Sequence, residues 1–62
     1  MIALKVLLLR CRPVVESAAS QAVRLAQQYS DDRLMRESWL MHAATFRDLL
    51  TDLDEAIKEL SA

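Results

Sequence analysis

With 62 residues and a formal net charge of −1, the chain can form one domain at most, and a chain this short buries only about 60% of its unfolded surface. The lone cysteine excludes an internal disulfide, and one cysteine with one histidine leaves no structural zinc set. Oligomerisation or very regular helix packing must therefore supply the missing stability.

The chain has no glycine and one proline. It is rich in Ala, Leu, Arg, Glu and Gln, which favour helix, and it lacks the Gly or Asn turns that hairpin sheets require. The expected fold is all-α, with residues 1–62 as one helical-hairpin domain. The apolar start, MIALKVLLL, has no basic leader and is interrupted by Lys5. It is far short of the ~20 apolar residues that span a bilayer, so it belongs to a core helix. No membrane association is expected, and a cytoplasmic location is.

The first predicted helix covers about residues 3–29. Leu4, Leu8, Cys11, Val15, Ala18, Ala22, Leu25 and Tyr29 recur at alternating spacings of four and three, the pattern of a heptad seam. Pro13 lies inside this helix. It removes the bond to the Leu9 carbonyl, so a kink is expected near it; a helix beginning at Pro13 is the alternative. A turn follows at about residues 29–32, where Ser30, Asp31 and Asp32 suit a helix N-terminus. The second helix runs over about residues 32–60, with Met35, Trp39, His42, Phe46, Leu49, Leu53, Ala56 and Leu60 at the same alternation.

Folding back at the turn pairs the two seams without a slip. Leu25 meets Trp39, Ala22 meets His42, Ala18 meets Phe46, Val15 meets Leu49 and Cys11 meets Leu53. Large residues face small ones, so the layers interdigitate. Leu7 and Val14 flank the first seam, and Ala43, Leu50 and Ile57 flank the second. A stripe this wide suits four helices rather than two. The expected assembly is a homodimer of two hairpins in an antiparallel four-helix bundle, with Leu7, Cys11, Val14, Val15, Ala18, Ala22, Leu25, Trp39, His42, Phe46, Leu49, Leu50, Leu53 and Ile57 forming the core or dimer contact.

His42 is the nearest approach to a chemical residue. It is expected to fill a layer opposite Ala22, hydrogen-bonded to Ser38 or Thr45. No third group orients it as a base or completes a metal site. If two hairpins pack with their ends reversed, His42 lies level with the partner's Cys11, which still makes only a two-ligand set. Cys11 itself is expected to be a small, inert core residue. No catalytic residue, metal or cofactor is expected.

Two surfaces remain. Val23, Leu34, Leu40 and Met41 fall outside the seams and form a candidate patch for a protein partner. Arg10, Arg24 and Gln27 on the outer side of the first helix are a candidate nucleic-acid contact, with few cations and no aromatic for base stacking. Charge is divided along the chain. Lys5, Arg10, Arg12 and Arg24 stand against Glu16 in the first half, and residues 30–62 carry eight acids against four bases.

The segments LLLRCRPVVE (Leu7–Glu16) and DLLTDLDEAIKEL (Asp48–Leu60) resemble stretches of small helical proteins from tailed-phage and prophage genomes that have no assigned activity. The resemblance implies a phage or prophage accessory protein. In architecture alone, the expected hairpin dimer resembles Rop, the small plasmid RNA-binding regulator. The expected function is a non-enzymatic interaction module that binds or modulates another protein, with a Rop-like RNA- or DNA-binding regulator as the alternative.

Overall fold

A computed structural model of the chain describes residues 3–62. Two long helices account for nearly all of them: α1, Leu4–Gln28, and α2, Arg33–Ser61. α1 passes through Pro13 without a break, so the helix does not begin there. Its start is poorly capped, because Ala3 at the N-cap has no side-chain acceptor and no acid lies in the first turn.

The turn is built without a left-handed residue. No described residue has positive φ, and Tyr29 ends α1 at φ −99° and ψ 31° while its N–H still donates to the Leu25 carbonyl at 3.1 Å. The Asp32 N–H donates to the Tyr29 carbonyl at 3.0 Å. Asp32 then caps α2, its carboxylate accepting the Met35 N–H at 3.2 Å. Arg36, one turn into α2, reaches back to the Ser30 carbonyl at 3.2 Å. These bonds do the work that a glycine C-cap does elsewhere.

The helices pack antiparallel along a line of alanines. Ala19, Ala22 and Ala26 of α1 and Ala43 of α2 are the buried apolar residues, with Ala22 1% exposed. Small side chains at this spacing let the backbones approach closely. Half-buried residues extend the line: Leu8, Arg12 and Val15 on α1, and Trp39, Phe46, Leu50, Leu53 and Ile57 on α2. The spacing still alternates four and three, but the contact line is rotated from the expected seam. Leu8, Val15, Ala22, Trp39, Phe46 and Leu53 hold their expected places. Between them, Arg12, Ala19 and Ala26 and Ala43, Leu50 and Ile57 also face inward, whereas Cys11, His42 and Leu49 are exposed and Ala18, Leu25 and Ala56 stay half-buried at the edge of the contact. The expected flank of α2 is thus part of its contact face.

The fold-back register is as expected. Ala18, Leu25, Trp39 and Phe46 border one shallow hollow of about 190 Å³, with Gln21 and Ala22. Arg12 bonds across to Asp54 at 2.6 Å, and to Glu16 on its own helix at 2.9 Å.

Candidate functional site

A step of one residue on a helix is a turn of about 100°. The positions displaced from the contact line therefore share one broad side of the hairpin. Leu4, Leu7, Cys11, Val14 and Leu25 come to it from α1, and Met35, His42, Leu49 and Leu60 from α2. This side is apolar and open. Val14 is 69% exposed and Leu4 58%, and Leu7, Leu49 and Leu60 are each exposed by nearly half. The opposite side carries Arg12, Glu16, Ser20, Arg47 and Asp54. Glu16, Ser20 and Arg47 border a hollow there with Ala19, Val23 and Leu50. The hairpin is two-faced, with one polar side and one apolar side.

His42 stands on the apolar side. It is exposed, which corrects the expectation of a histidine buried against Ala22. Its ring meets Trp39 edge-on, with centroids 5.4 Å apart and planes at 70°, the favoured arrangement for two aromatic rings. Among the described residues, the His42 ring makes no hydrogen bond; Thr45, one of its two expected partners, donates instead to the Met41 carbonyl at 3.1 Å. Cys11 is likewise exposed in the hairpin rather than packed in its core. Both depart from expectation for one reason: the contact line runs through the neighbouring positions, Arg12 and Ala43. Among the described residues, no three His, Cys, Asp or Glu side chains gather closely enough to hold a metal ion.

The four residues of the candidate protein patch are divided between two places. Val23 and Leu40 line one hollow with Ala26, Gln27, Ser30 and Arg36. Leu34 and Met41, 80% and 69% exposed, are seven residues apart and so share the outer rim of α2 next to the apolar side. Arg10 and Arg24 both lie on the outer side of α1, but fourteen residues of helix separate them by about 21 Å. Gln27 is one turn beyond Arg24, so these three do not converge on one point.

The part played by Arg12 was not legible from the apolar spacing. Its guanidinium spans the two helices on the polar side. The hydrogen bond from Arg12 holds the Asp54 carboxyl below the usual carboxylate range, against an opposing desolvation effect. The same bond raises the pKa of Arg12 further. Both side chains are about half exposed, so the pair fixes register more than it stabilises.

No helix among the described residues is long and apolar enough to cross a membrane. The chain matches no protein-family model, no curated protein and no solved structure.

Proposed function

We propose that the chain is a non-enzymatic interaction module, working as a homodimer whose two apolar sides close on each other in a four-helix bundle. One observation carries this reading: the fully buried residues of the hairpin are alanines, while Leu4, Leu7, Val14, Leu49 and Leu60 stand open on one side. Its accessible surface is 4966 Å², whereas a compact monomer of 7.1 kDa exposes about 4100 Å². The excess, roughly 900 Å², is close to the ~800 Å² that each partner buries in a standard interface. The broad side measures 46 by 17 Å, an outline of the same size.

A further protein partner would engage what the dimer leaves uncovered. The exposed rim of α2, with Leu34 and Met41, suits that role better than the arginines of α1, which are too few and too far apart for a phosphate track. A phage or prophage accessory role rests on the resemblance of Leu7–Glu16 and Asp48–Leu60 alone. The test is capture from a bacterial lysate with and without nuclease, using wild type and a Leu34→Glu/Met41→Glu variant. A protein that survives nuclease and is lost with the variant is the expected result. Loss of every partner on nuclease treatment would replace this reading with the nucleic-acid one.

A further inference from the structure

The apolar side can be laid on its copy in two symmetric ways. With the turns at opposite ends, α1 lies on the partner's α1 and α2 on the partner's α2. With the turns at the same end, α1 lies on the partner's α2. Both give bundles in which all neighbouring helices are antiparallel, so packing direction does not choose between them.

Charge does. α1 carries four cations, Lys5, Arg10, Arg12 and Arg24, against one acid, Glu16. α2 carries six acids, Glu37, Asp48, Asp52, Asp54, Glu55 and Glu59, against four cations, Arg33, Arg36, Arg47 and Lys58. Opposite ends would bring basic helix to basic helix and acidic to acidic. Neighbouring helix axes are about 8–10 Å apart, within or near one Debye length at physiological salt, so this repulsion is only partly screened.

We propose that the two hairpins pack with their turns at the same end, each α1 against the partner's α2. The proposal rests on the dimer described above and fixes its geometry. Arg10 flanks the apolar side between Leu7 and Val14, and it pairs with no acid among the described residues. Asp52 flanks the same side next to Leu49. The Arg12–Asp54 bond sets the level of one helix against the other, and Arg10 and Asp52 lie within about one helical turn of each other on that scale. Within one chain they sit on opposite rims, with both helices between them. In the proposed dimer Arg10 meets the partner's Asp52 at two symmetric places, and Val14 and Leu7 meet the partner's Leu49 and Leu60. Cys11 then lies level with the partner's Leu53, far from the partner's His42, so the dimer creates no Cys–His pair.

Spin labels at Ser30→Cys, in a Cys11→Ser background, test the geometry by pulsed electron resonance, with sedimentation of the labelled protein run alongside. The expected result is a dimer with a label separation on the order of 20 Å, the width of two helices. A dimer with labels separated by the 46 Å length of the hairpin overturns the geometry and leaves the dimer standing. A monomer overturns both. Charge reversal provides an independent check: Arg10→Glu is expected to weaken the dimer several-fold, and adding Asp52→Arg is expected to restore it. Equal weakening with no restoration would contradict the pairing.

Discussion

Ala22 marks the closest approach of the two helices, at 1% exposure. Ala22→Leu adds three carbons where no space exists, and overpacking of this kind costs about 1–3 kcal/mol. Denaturant titration should show that loss; a neutral effect would place the contact line elsewhere. His42 is the contrasting case. It stands on the apolar side against Trp39, so His42→Leu should keep the fold and strengthen self-association, and zinc should leave the melting temperature of the wild type unchanged. Loss of folding in His42→Leu would show a polar role for the ring. Asp54 gives a pH signature. Its folded-state pKa lies below the unfolded value of about 3.9, so the stability it contributes is present above that value and is lost as pH falls through the folded pKa. Asp54→Asn should therefore lower stability slightly at neutral pH, and its curve should converge with that of wild type in acid. Parallel curves down to pH 2 would contradict the assignment.

The helices were legible in the sequence for reasons that can be named. Tyr29 to Asp32 breaks the apolar alternation, and Asp32 is an N-cap by residue type. The expected boundaries, 3–29 and 32–60, lie within one residue of those observed. Which column of each helix faces the other was not legible. In a wide apolar stripe two adjacent columns satisfy the same alternation, and they differ by about 100°. Residue size separates them: Ala19, Ala22 and Ala26 let the helices approach closely, whereas spacing alone assigned Leu25 and His42 to the seam. Two substitutions test the elements. Asp32→Ala removes the cap on Met35 and should cost about 1 kcal/mol. Pro13→Ala restores a donor for the Leu9 carbonyl in a continuous helix and should raise stability by about 1–3 kcal/mol. A loss in that variant would mean that the proline shapes the apolar side.

At the scale of the molecule, the hairpin fully buries alanines, half-buries Leu8, Val15, Trp39, Phe46, Leu50, Leu53 and Ile57 between its helices, and leaves Leu4, Leu7, Val14, Leu49 and Leu60 open on one side. Only four alanines are fully buried and the larger apolar residues of the contact are half-buried, while ordering each residue costs about 1–2 kcal/mol in backbone entropy. On the proposed reading, covering the apolar side in the dimer supplies the rest of the burial. The width of the stripe already implied a bundle of four, because Leu7 and Val14 have no place between only two helices. The most direct measurement is sedimentation equilibrium at micromolar concentration on the wild type and on Val14→Glu. The account predicts about twice the 7.1 kDa chain mass for the wild type, and for the variant a chain-mass species with much weaker helical signal. A wild type that is cooperatively folded at the mass of a single chain would contradict it.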